Sequence, residues 1–472
     1  MKKIFFILSF SLFLNSLCAQ NLIFDFKESK TCLTKNVENT KGLDFSLSVF
    51  INKLNSDLVF IPFKLPLIEE VFLDVSIKNF SVINDNHTLI IETDNGQQIE
   101  ELDSDLLSYY IFHKDEVIGT LLFFDNNIIV TYKYGNRQFE INTLNNEIIL
   151  FDVNDCIDQN TFSCAVEEKA REISVNHSSS ESVTIPDCIE LAIEIDQYTR
   201  NTFFSNSAAS TWAHAIIAGV SQVYFGEVNI HINVVHTIIW NTADPYAGII
   251  SDAGAMLSAL RSHWNTNNTS ISRDIVHLLT KRSNTGTGGI AYLDVLCNNS
   301  YGYAFSSDLN SNTSFGFPNP PYTWNLFVVS HEIGHNVGSS HTHWCGWAPD
   351  PGLSFSGGPI DNCVNVEGSC PNNPTPQVGT IMSYCYTTSS GILIDFHDIV
   401  ISQALNPGIN NASCLSACPF YGCTDSTALN YDSLATVDDG SCIYPSITLG
   451  DTVTDISCYG QTDGSIDLVV TG

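Results

Sequence analysis

The stretch NLFVVSHEIGHNVGSSH, residues 325–341, decides how the rest of the chain is read. Its apolar residues recur at helical spacing, which predicts a helix over 325–338. His331 and His335 are four apart, so both imidazoles project from one face. Glu332 follows the first histidine and can reach a water held beside them. Gly338 can take a positive φ and end the helix sharply, which lets the chain turn back and bring in His341. Three neutral imidazole nitrogens with one position left open make a catalytic zinc site. There the metal acidifies water and polarises a carbonyl, and Glu332 serves as general base. The bland alternative is a helix whose histidines merely cap or pack. Chance produces the full pattern, with Gly338 and His341, roughly once in ten thousand chains of this length.

The flanking segments set the fold class. IELAIEID (189–196) reads as a strand and 205–225 as a helix. A strand at 229–240, a helix at 251–264 opened by a Ser cap, and strands at 274–280 and 288–297 follow. This β/α order calls for a mixed, mostly parallel sheet flanked by helices. Downstream comes GTIMSYC (379–385). Met382, one of only 3 methionines, is placed to form an apolar floor under the metal, unless it is an ordinary core residue. Tyr384 is placed as a distant fifth ligand or an oxyanion donor, with a packing role as the alternative.

HExxHxxGxxH followed by a Met-turn is the metzincin signature. Residues 186–416 resemble the reprolysin (adamalysin-like) family, in a bacterial secreted branch, through IELAIEID, DIVHLLT, GGIAYLDVLC and the histidine helix in that order. The resemblance implies an α/β (α+β) catalytic domain at 186–418 whose substrate cleft separates an upper from a small lower lobe. It implies a zinc metalloendopeptidase. Two departures stand out. Thr342 replaces the Asp that usually follows the third histidine, which removes a carboxylate behind the ligands. Tyr384 is mostly lacking in animal members. A pappalysin-like metzincin and an inactive protease-fold adhesion protein are the rival readings, although Glu332 and all three histidines are intact. The resemblance further implies a structural calcium ion with Glu190 and Asp274 as ligands, or else two solvated carboxylates. Ala417 stands where that site expects Asn. It also implies a Cys297–Cys414 disulfide, while pairing among Cys345, Cys363, Cys370 and Cys385 stays open.

Upstream, MKKIFFILSFSLFLNSLCA (1–19) has the basic start, short apolar run and small-residue cut of a signal peptide. Residues 20–165 read as a β-rich domain with a hairpin turn at Tyr134-Gly135-Asn136. It lies where a metzincin pro-domain belongs. The Ser-rich, charged segment 166–185 reads as a linker, with Lys169 and Arg171 as processing sites. Cys164 or Cys156 can place a thiolate on the zinc as a cysteine switch, or the two form a disulfide. Downstream, 419–445 resembles a small Cys/Asp repeat of secreted bacterial surface proteins. In it Asp425, Asp432, Asp438 and Asp439 are calcium candidates or solvated turn carboxylates. Residues 446–472 resemble the start of an adhesin-type β repeat of a longer parent chain, which suggests cell-surface association.

Charge narrows the partners. A net charge of −32 repels nucleic acid and anionic membranes. Beyond the signal segment no run is long and apolar enough for a membrane span. Fifteen cysteines, crowded after Cys345, read as disulfides of an exported protein. The expected partners are protein or peptide substrates outside the cell.

Overall fold

The computed structural model describes residues 24–27, 40–45, 50, 59–125, 127–144, 146–155, 164–167, 187–312, 320–370, 374, 379–438, 440–444 and 448–471. The signal segment, Cys156, most of the linker and Asp439 lie outside the described residues.

Residues upstream of 153 supply a nine-stranded antiparallel sheet. Its strands Asn127–Tyr134 and Arg137–Leu144 meet at the Gly135-Asn136 turn, with Gly135 at φ 61°. Side chains alternate along each strand. Ile111, Leu121, Ile128 and Val130 enter the sheet's own core, whereas Tyr110, Leu122 and Ile129 pack with the helix Asn206–Val228.

A second nine-stranded sheet carries the histidine site. Its order is Cys164–Glu167, Gly289–Tyr292, Tyr303–Ser306, Ile275–Leu279, Asp187–Ile195, Ile230–Trp240, Ile83–Thr93 and Gly96–Glu100, with Ser416–Ala417 also on Asp187–Ile195. The pairs are parallel except for Gly289–Tyr292 on Tyr303–Ser306, Gly96–Glu100 on Ile83–Thr93, and Ser416–Ala417. The mixed, mostly parallel α/β character expected from the sequence is thus present. The sheets do not respect the sequence division near residue 165, since Ile83–Thr93 lies alongside Ile230–Trp240. Leu89 and Ile91 enter the core of the helix Asn206–Val228, and Ile90 enters the opposite core. A strand apolar on both faces is satisfied only inside a sheet covered on both sides.

The helix Asn206–Val228 is capped by Ser205 and covers one face. Ala253–Asn267 covers the other with Met256, Leu257, Leu260 and Trp264. Its cap corrects the expectation of a serine: Asp252 accepts from the Ala255 amide, while Ser251 turns to φ 56°. The strand expected at 288–297 ends at Tyr292, because Asp294 and Cys297 take positive φ and leave the extended path. Disulfides join Cys188–Cys418, Cys297–Cys414, Cys345–Cys370, Cys363–Cys385 and Cys423–Cys442. The last closes the small Asp-rich module. Beyond it Thr448–Thr454 and Ser465–Thr471 form an antiparallel hairpin. Among the described residues no helix is long and apolar enough to cross a membrane.

Candidate metal centre and active site

The helix Thr323–Val337 is buried along its whole length and carries His331, Glu332 and His335. Gly338, at φ 126°, ends it and donates to the carbonyls of Gly334 and His335. The chain then doubles back and sets His341 against the other two histidines, with ring centroids 5.1 Å from His331 and 4.7 Å from His335. The ligand atoms of His331, His335, His341 and Cys164 all lie within 4.8 Å of one another.

Hydrogen bonds behind the rings fix their tautomers. His331 Nδ1 faces the Ile381 carbonyl at 2.6 Å, His335 Nδ1 faces the Ser339 carbonyl at 2.7 Å, and His341 Nδ1 faces Glu367 Oε1 at 2.6 Å. Each Nδ1 therefore carries the proton, and each Nε2 lone pair points inward. His331 Nε2 and His335 Nε2 stand 3.1 Å apart. Burial, then the neighbouring histidines, hold His331 well below the ordinary histidine range and push His335 down to about 3. Neutral rings with converging lone pairs and no proton to share fit a soft divalent cation, and the all-imidazole set fits zinc.

Glu332 is fully buried, and among the described residues its Oε2 has no partner. Burial pushes its carboxyl well up. It lies against the edge strand at Gly289, where a Cβ would fall 2.2 Å from Oε1. Met382 is buried beneath the helix, and its sulfur occupies the space that a Cβ on Gly334 would need. The Tyr384 hydroxyl sits 3.3 Å from His341 Nε2.

Glu367 is the functional residue that sequence reasoning missed. It supplies the carboxylate that Thr342 lacks, while Thr342 instead binds the Met382 carbonyl through both its amide and its hydroxyl. The Cys345–Cys370 disulfide closes the loop that returns Glu367 to His341 and His343. Burial alone would raise the Glu367 carboxyl, but hydrogen bonds from His341 and His343 hold it far below the usual range. The only sequence signal was the cysteine pair bracketing it.

Cys164 enters from upstream. Its strand lies parallel to the edge strand, Cys164 opposite Gly289. Its thiol donates to Glu332 Oε1 at 2.9 Å and stands 4.0 Å from His335 Nε2. Its amide donates to the Tyr384 hydroxyl, which donates in turn to the Cys164 carbonyl.

Among the calcium candidates, Glu190 and Asp274 are neighbours. The Asp274 carboxylate accepts from the Glu190 amide at 2.8 Å, and burial pushes it up to about 6. Asp425 accepts from Thr427 and Tyr444, and Asp438 from the Gly440 amide. Asp432, another of the calcium candidates, is buried in an ion pair with Lys78 at 2.8 Å. None of these belongs to a cluster of three His, Cys, Asp or Glu ligands among the described residues.

A mixed sheet with three histidines and a glutamate on one helix-and-turn unit defines a metallopeptidase-type domain. Residues 186–392 match the family model Reprolysin_5, metallo-peptidase family M12, and that stretch is similar to the reprolysin-type members of this family. It is 30% identical over 138 residues to the zinc metalloproteinase-disintegrin-like brevilysins H2a and H2b of Gloydius brevicauda, an overlap covering 28% of this chain and 28% of each of them. The chain thus spans well under two thirds of these relatives. Metalloproteinase-II from Bacteroides fragilis is a solved structure with 16% identity and a TM-score of 0.36, covering 62% of this chain and 84% of its own.

Proposed function

We propose that the chain is a secreted zinc metalloendopeptidase, held latent by Cys164, that hydrolyses peptide bonds in extracellular proteins. The observation that carries the reading is the convergence of three inward Nε2 lone pairs beside the buried Glu332 carboxylate.

Zinc, when bound by His331, His335 and His341, supplies Lewis acidity that makes water a nucleophile and polarises the scissile carbonyl. The protein's own groups do the rest. Glu332 takes the proton from the attacking water at Oε1 or Oε2 and returns it to the departing amine nitrogen. Its burial raises its affinity for a proton, which suits a group that must accept one from water. The Tyr384 hydroxyl, beside His341, donates to the oxygen that gains negative charge. The edge strand Gly289–Tyr292 offers main-chain partners to an extended substrate. In the latent chain Cys164–Glu167 occupies that edge and the Cys164 thiol engages the base. Access to the cleft then requires this segment to leave.

The test is hydrolysis of a mixed peptide library by the processed protein. We expect cleavage that a chelator abolishes and stoichiometric zinc restores. Cleavage indifferent to the chelator would rule the reading out.

A further inference from the structure

The segment that blocks the cleft and the sheet domain before it make very different contacts with the enzyme. Cys164–Glu167 adds one short strand to an edge. The domain upstream of residue 156 is built into the catalytic fold. Ile83–Thr93 continues the catalytic sheet beyond Ile230–Trp240, with Thr237, Ile238 and Ile239 opposite Leu89, Ile90 and Ile91. The helix Asn206–Val228 is buried on every side from Ala209 to Tyr224, partly beneath this domain. A helix buried all round has no face made for water. Removing the domain would uncover it and open a central strand edge.

Polar contacts reach the active site itself. The helix Thr323–Val337 has no side-chain cap of its own at Tyr322. Glu140, fully buried in the upstream domain, caps it instead, accepting from the Thr323 amide at 2.9 Å, the Thr323 hydroxyl at 2.8 Å and the Tyr322 amide at 3.3 Å. A carboxylate there satisfies the orphan amides of the first turn and matches the helix dipole. Asn154 accepts from the Ile392 amide and Gln138 from the Ile394 amide. That same segment holds the Met-turn, through Leu393 on Gly379 and Ile381 on Asp395. Lys133 bridges Glu227 and Asp395 at 2.9 Å each. At the far side, buried Lys78 pairs with Asp432 of the C-terminal module.

We propose that the N-terminal sheet domain is a lasting subunit of the enzyme: cutting the linker between Glu167 and Asp187 frees the cleft segment to leave, while residues up to 155 stay bound and Glu140 keeps capping the active-site helix. This extends the latent-peptidase reading and rests on it only for calling the cut an activation step.

The test uses the full chain carrying Glu332→Ala, so that no self-digestion intervenes, with a thrombin recognition sequence placed in the linker. After complete cutting, size-exclusion chromatography is run in native buffer and again in denaturant. The expected result is one native peak holding both fragments in equal amounts, which separate only in denaturant. Separation in native buffer would overturn the proposal. Because the protein is inactive by design, that failure would leave the peptidase reading untouched. The cap is tested by hydrogen–deuterium exchange in the Glu140→Gln chain. At least tenfold faster exchange at the Tyr322 and Thr323 amides is expected. Unchanged exchange would remove Glu140 from the proposal, and a Glu140→Gln chain that does not fold leaves the chromatography to decide it.

Discussion

The Cys164 thiol donates a hydrogen bond to Glu332 Oε1 at 2.9 Å, across 168 residues of sequence. One side chain thus meets both the proposed general base and, at 4.0 Å, a nitrogen of the proposed metal site. Burial and then the Glu332 charge push this thiol well up, and a bound zinc ion reverses that preference because a coordinating thiol is deprotonated. Cys164→Ala in the uncut chain is therefore expected to show peptidase activity at least tenfold above the uncut parent. Equal silence in both would show that latency does not depend on this thiol.

Glu367 fixes the ring of His341 from behind. Groups in that position change metal affinity by about 10–100-fold when altered. Glu367→Gln, which keeps the shape but loses the charge, is expected to weaken zinc binding within that range in competition with a chromophoric chelator. An unchanged dissociation constant would mean that the Glu367 charge does not matter to the site.

Gly289 leaves room for the Glu332 carboxylate. An alanine Cβ there would fall 2.2 Å from Glu332 Oε1 and 2.6 Å from its Cδ, so the carboxylate must shift. Gly289→Ala is expected to lower kcat/KM at least tenfold while zinc content stays the same. Full activity would show that Glu332 tolerates displacement.

His214 gives a pH dependence with a defined sign. Burial, then the charge of His87, holds it down to about 3 in the folded chain, against about 6.5 when unfolded. Between those values only the unfolded chain takes the proton, so this group's contribution is present above pH 6.5 and is lost as pH falls. The slope is at most about 1.4 kcal/mol per pH unit, or about 2 kcal/mol from pH 7 to 5. Glu194, pushed up to about 7 by burial, works in the opposite direction, so the comparison must be with a variant rather than absolute. The fall in Tm between pH 7 and 5 is expected to be about 2 °C smaller in His214→Gln than in the parent. Equal falls would mean that His214 does not titrate in this way.

The histidine helix was readable because its spacing is local: i, i+4 and a glycine stop determine the geometry without knowledge of the rest. The strands around it were readable for the same reason, since Ile189–Ile195 and Ile230–Trp240 carry their burial in their own apolar runs. Glu367 was not readable, because its partner His341 is reached only through a loop whose disulfide could not be assigned from spacing. Ile83–Thr93 looked like one more strand of the N-terminal domain, and nothing local reveals which sheet a strand joins. Glu140 was invisible as a cap because the helix it caps begins 183 residues later. Asp432 looked like a metal ligand in an Asp-rich turn, but its partner Lys78 lies 354 residues upstream. Local periodicity revealed the elements, and long-range polar pairing had to come from the fold.

The most direct test of the account is zinc content and turnover measured together on processed Glu332→Ala protein. The account requires one zinc ion per chain, as in the parent, with kcat/KM lower by about 10²–10⁴-fold. Turnover within a few-fold of the parent, with zinc still bound, would contradict it.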